Sequence, residues 1–131
     1  MKKILLQFVL FLLPIFAYAQ TPFLIESEAT VSCTNKNCSE KEAGDYVIVV
    51  HESQDAITLL YGDSDATYPY EIQSVSKKGN KDVFAVIDHL QRGSTWILDL
   101  ELQTMTSIVK NGSTVEETIY HISSITEVEE D

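Results

Sequence analysis

The stretch STWILDLELQTMTSIVKNGS, Ser94 to Ser113, carries the clearest strand, turn and strand pattern in the chain, and its reading decides the fold. Trp96, Leu98 and Leu100 alternate with Ile97, Asp99 and Glu101, the period of two expected where one face of a sheet is buried. On the following strand Met105 and Val109 share a face with Ser107. With Leu102 and Gln103 at the tip, Leu100 faces Met105 and Trp96 faces Val109, so the large apolar groups meet across the pair. Trp96, Leu98, Leu100, Met105 and Val109 are therefore the candidate lining of either a core or a ligand cavity.

Beyond this hairpin, Lys110-Asn111-Gly112-Ser113 is a second turn. A two-residue Asn-Gly turn sends Val115 and Ile119 away from the Trp96 face, whereas a three-residue loop with Gly112 left-handed pairs Val109 with Ser113 and returns them to it. The second register gathers more apolar side chains on one side and is the expected one. Val115 to Ile125 then closes the fold, and Glu127, Glu129, Glu130 and Asp131 make a short acidic tail over 127–131.

On the other side of the hairpin, Asp82 to Gly93 has two readings. Val83, Phe84, Val86, Ile87 and Leu90 fall at helical spacing, which gives a helix at 82–92; the same residues give a strand, Val83 to Asp88, with a loop from His89 to Gly93. The β-branched Val83, Val86 and Ile87 favour the strand. Tyr46 to Val50 and Ile57 to Tyr61 are further strands, apolar on both faces. Thr21 to Glu28 reads as a lead-in to a strand near Ala29 to Cys33, and Pro69 as the first residue of a strand or an edge position. Asp63, Asp65 and Thr67 resemble the start of a calcium loop, but Tyr68 stands in place of the required glycine and Ser74 in place of the bidentate glutamate. The expected fold is all-β: one antiparallel meander of about seven or eight strands over residues 20–126, closed as a small barrel or folded as a two-sheet sandwich.

The amino terminus predicts export. Met1-Lys2-Lys3, the apolar run Ile4 to Phe16 and Ala17-Tyr18-Ala19 are the parts of a secretory signal peptide over 1–19. The run is short of the ~20 residues a membrane helix needs, and no later stretch is as long, so no membrane span is expected in the mature chain. Without Lys2 and Lys3, seven basic residues face twenty acidic ones, a formal charge of 7 − 20 = −13. Such a chain repels phosphate backbones, which excludes nucleic acid as a partner. In a periplasmic or extracellular setting Cys33 and Cys38 are natural disulfide partners.

Chemical motifs are missing. His51, His89 and His121 show no metal-ligand spacing, so neither a metal nor a cofactor is expected, and no nucleophile elbow or glycine-rich phosphate loop occurs. Asp88-His89 could be half of an acid and base pair, but a turn accounts for it. The reading is a non-catalytic binding module for a protein partner, because three strands are apolar on both faces and the surplus must meet something. A small-barrel carrier of a small apolar ligand is the alternative, and an enzyme with an unrecognised site a second one.

Overall fold

The computed structural model describes residues 22–61 and 66–128. The signal segment, Asp63 and Asp65 of the acidic loop, and Glu129 to Asp131 of the tail lie outside them. Nine strands follow one another: β1 (Phe23–Thr34), β2 (Asn37–Cys38), β3 (Glu42–His51), β4 (Ala56–Tyr61), β5 (Thr67–Lys78), β6 (Lys81–Ile87), β7 (Gly93–Asp99), β8 (Thr104–Asn111) and β9 (Thr114–Glu127). Each pairs antiparallel with the next along β1-β3-β4-β5-β6-β7-β8-β9, and β9 returns to β1. Eight strands thus close into a barrel, with β2 as a short addition on β1. The barrel is the first of the two expected architectures, and 82–92 resolves as strand β6 and a turn.

Alternation explains the interior. Ile25, Ile48, Val50, Ile57, Leu59, Ile72, Phe84, Val86, Trp96, Leu98, Met105 and Tyr120 form one buried cluster, each on the inward parity of its strand. An eight-stranded barrel is just wide enough for such side chains to fill it or to leave room for one small ligand. Here the aliphatic groups fill the end that holds Pro22, the β3–β4 connection and the β7–β8 turn. The other end, with the β6–β7 and β8–β9 turns and the β1–β2 tip, is lined differently and forms the candidate site.

Three local expectations are corrected, and of the two positions offered for Pro69 the edge is the one found. β1 begins at Phe23, not near Ala29; a bulge between Ser27 and Ala29, where Ser27 Oγ donates to Ala29 O at 3.0 Å, lets both Ser27 and Thr30 face inward. Pro69 is the third residue of β5, in the part of that strand paired with β4 alone. In the β7–β8 hairpin Leu98, not Leu100, faces Met105, and Trp96 faces Ser107. Asp99 sets this register: its Oδ1 accepts from Glu101 N and Leu102 N at 3.0 Å, so the turn starts two residues early and leaves Leu100 and Leu102 55% and 70% exposed. In the β8–β9 hairpin Asn111 faces Thr114 around a two-residue Gly112-Ser113 loop, with Gly112 at φ 63. Positive φ at the first loop position is what a two-residue hairpin requires. Thr118 therefore shares the Trp96 face, and Val115 and Ile119 point outward.

Cys33 and Cys38 are bonded and face each other across β1 and β2. The tip they hold is fastened to β9, where Asn35 N donates to Val115 O and Val115 N donates to Asn35 Oδ1, both at 2.8 Å. Closing so small a ring stabilises by about 2 kcal/mol in the chain-entropy model. A Cys33→Ser, Cys38→Ser double variant is expected to lose about that much in urea unfolding while remaining cooperative, since the core lies elsewhere.

Candidate functional site

All five tyrosines of the described residues and the chain's only tryptophan gather at one end of the barrel. In a meander the end of one strand and the start of the next lie side by side, so Tyr61 at the end of β4 meets Tyr46 near the start of β3 and Tyr68 near the start of β5. The rings form a chain that leaves β5 and comes back to it. Tyr70 touches Trp96 with centroids 5.4 Å apart, Trp96 stacks on Tyr120 at 5.9 Å and 10°, and Tyr120 meets Tyr46 at 5.3 Å. Tyr46 then meets Tyr61 at 5.2 Å, and Tyr61 meets Tyr68 at 5.5 Å, both edge to face. Each such pair contributes about 0.5–1.5 kcal/mol beyond the area it buries. Gly44 on the same face of β3 makes room, because a Cβ there would lie 2.9 Å from the Tyr46 ring.

The girdle is graded from dry to wet. Trp96 is 1% exposed, whereas Tyr61 and Tyr68 at the rim are 40% and 46% exposed. Burial pushes the Tyr120 hydroxyl far above the usual tyrosine range, and the neighbouring Tyr61, Tyr70 and Tyr46 add to it. Burial likewise raises Tyr70, helped by Asp88, and Tyr61, helped by Tyr46. A tyrosine whose folded pKa is raised binds its proton longer in the folded than in the unfolded chain. Its stabilising contribution is complete below the unfolded value of about 10 and is lost as pH rises further. The urea midpoint is therefore expected to hold between about pH 7 and 9 and to fall above about pH 10, and Tyr120→Phe is expected to flatten that fall.

Beside the girdle lies a cleft of about 440 Å³, within the range of small-molecule sites. Tyr70 forms one wall. The β6–β7 turn supplies Asp88 and Arg92, β7 supplies Gly93 and Ser94, and the β8–β9 hairpin supplies Ser107, Val109, Lys110, Asn111 and Glu116. Trp96 underlies this lining: it touches Tyr70, faces Ser107 across β8 and follows Ser94 on the inward face of β7. Its Nε1 is buried with no hydrogen-bond partner among the described residues.

The turn from Asp88 to Arg92 is built by one carboxylate. Asp88 Oδ1 accepts from Leu90 N and Arg92 N, both at 2.9 Å, and Oδ2 accepts from Arg92 Nε at 2.8 Å. These donors, the Arg92 backbone first, hold the carboxyl below its usual range. Asp88 is thus occupied in shaping the turn, and the Arg92 that it holds lines the cleft.

Of the five residues read as a lining, Trp96 and Val109 belong to this end. Leu98 and Met105 face each other in the core, and Leu100 stands in the turn at the opposite end. His89 is in the β6–β7 turn, His51 ends β3, and His121 faces outward on β9 opposite Ala29 and Thr104. Among the described residues no group of three or more His, Cys, Asp or Glu stands together as a metal site. No helix among them is long and apolar enough to cross a membrane. No protein-family model matches the chain, and no curated protein is similar to it in sequence.

Proposed function

We propose that the chain is an exported, non-catalytic binding module that takes a small molecule with a flat face at the aromatic end of its barrel. The observation that carries this reading is a cleft of about 440 Å³ with Tyr70 in its wall, at the end of the barrel where six aromatic rings touch in a chain. Rings cost little side-chain entropy to hold and offer wide, amphipathic contact. The lack of catalysis rests on the same residues: the Asp88 carboxylate already accepts three hydrogen bonds, and no histidine lines the cleft. Export rests on the signal segment and the disulfide; intact mass of the secreted protein is expected to show a chain starting at Gln20, and a retained Met1 overturns it.

The binding reading is tested by two-dimensional NMR with phenol, indole and phenyl glucoside as probes. Saturable shifts of the Trp96 indole N–H and of the Ser94 and Ser107 amides are expected with at least one of them. Shifts with none, or shifts spread over the outer wall, defeat it.

A second reading, a protein partner, is favoured by one feature of the outer wall. Val31, Ile119, Thr106, Ile97 and Val83 are register partners on five neighbouring strands and face outward in a row. Charge placed there by Ile97→Lys and Ile119→Lys abolishes association with a partner that uses this wall and leaves the probe shifts at the cleft unchanged.

A further inference from the structure

We infer that the ligand of the cleft is a neutral, hydroxyl-rich ring with one apolar face, the chemistry of a pyranose sugar; this rests on the binding reading above. Small-molecule sites are mostly apolar with a few placed polar groups, and this cleft reverses the proportion, since eight of its ten lining residues carry polar side chains. A purely apolar guest would strip water from those groups and return no hydrogen bonds, leaving each of them unpaired at a cost in affinity.

Charge narrows the class. Two acids, Asp88 and Glu116, and two bases, Arg92 and Lys110, line the cleft, so it is balanced inside a chain whose acids outnumber its bases twenty to nine. Asp88 and Arg92 already satisfy one another in part. A charged guest would gain one attraction and meet one repulsion, and it would still have to lose its hydration. A neutral guest loses far less. Hydroxyl groups both donate and accept, which suits a lining that offers carboxylate acceptors, guanidinium and ammonium donors, and the mixed groups of Ser94, Ser107 and Asn111.

The aromatic side supplies the other half of the recognition. Tyr70, backed by Trp96, presents ring surface to the C–H face of a sugar. The polar groups beside Tyr70 call for an oxygen on the guest. Neither an aliphatic chain nor an aromatic hydrocarbon provides one.

The test uses the secreted protein and six probes: the methyl glycosides of glucose, galactose, mannose and N-acetylglucosamine, together with benzoate and benzyltrimethylammonium. At least one glycoside is expected to shift the Trp96 indole N–H and the Ser94 and Ser107 amides saturably. Its affinity is expected to change less than about twofold between low and high salt, since no net charge is screened. Glu116→Gln is expected to weaken it by about tenfold or more, the effect of removing a hydrogen bond to a charged group; Arg92→Gln replaces this variant if it does not fold. Saturation by benzoate or the ammonium ion but by no glycoside overturns the inference and leaves the binding reading standing. Silence with all six overturns the inference, while the binding reading stands or falls with phenol, indole and phenyl glucoside; glycoside binding that is indifferent to Glu116→Gln and Arg92→Gln overturns the sugar-in-cleft assignment.

Discussion

Trp96→Ala is expected to cost about 3–5 kcal/mol, a large share of the total stability, and to lower the urea midpoint sharply. Truncating a buried tryptophan forfeits both the transfer of the side chain and the contacts around the void it leaves. A domain of this size has about 5–15 kcal/mol in total. Trp96 occupies the junction of core and girdle: it is register partner to Phe84 on β6 and Ser107 on β8, stacks on Tyr120 and touches Tyr70. Its removal opens contacts on several strands at once. Trp96→Phe is expected to be far milder, about 2 kcal/mol or less, because it keeps a ring and removes a buried N–H that has no partner among the described residues. Urea unfolding followed by circular dichroism measures both variants. A Trp96→Phe variant as damaging as Trp96→Ala would show that the indole N–H is satisfied and matters.

Ile25→Ala is the second large effect, about 2–5 kcal/mol. Ile25 is fully buried on β1, opposite Ile48 of β3 on one side and Ile125 of β9 on the other. It lies where the barrel closes, so a cavity there weakens both ladders that meet on β1. Leu24, its neighbour on the outward face, pairs with Val49 and Thr126 and is only half-buried. Leu24→Ala is expected to cost less than about 1 kcal/mol. Equal losses from the two variants in urea unfolding would place the closing contact outside the barrel instead of within it.

The strands of this fold are legible because inward positions in the core alternate with outward ones: Trp96 and Leu98, Phe84 and Val86, Ile57 and Leu59 all mark the same face. Alternation also explains why 82–92 is a strand, although its apolar spacing fits a helix. The two hairpin registers were less legible, for opposite reasons. At β7–β8 the side chain of Asp99 claims two turn amides, a local bond that apolar matching does not reveal. At β8–β9 the assumption that the inward face is the more apolar one fails, because Ser107, Val109, Glu116 and Thr118 line a mouth. The tyrosines carried a readable sign: Tyr46, Tyr61 and Tyr68 sit where adjacent antiparallel strands share an end. That sign acquires meaning only once the sheet is known to close and bring β3 and β9 to opposite sides of β1.

Closure by β1 and β9 has a consequence for how the molecule comes into being. The two strands pair from Phe23 with Glu127 to Thr34 with Glu116, so the first strand finds one of its two neighbours in the last strand of the barrel. While translation is under way β1 can pair with β3 but keeps its other edge open, and the lumen has no complete wall. Local hairpins such as β7–β8 can form early, whereas the pairing across the whole chain must wait for the long loop closure that makes such topologies slow. The barrel is therefore completed only once β9 is available, and a chain that lacks β9 presents an unpaired β1 edge of the kind that chaperones, or other unfolded chains, recognise.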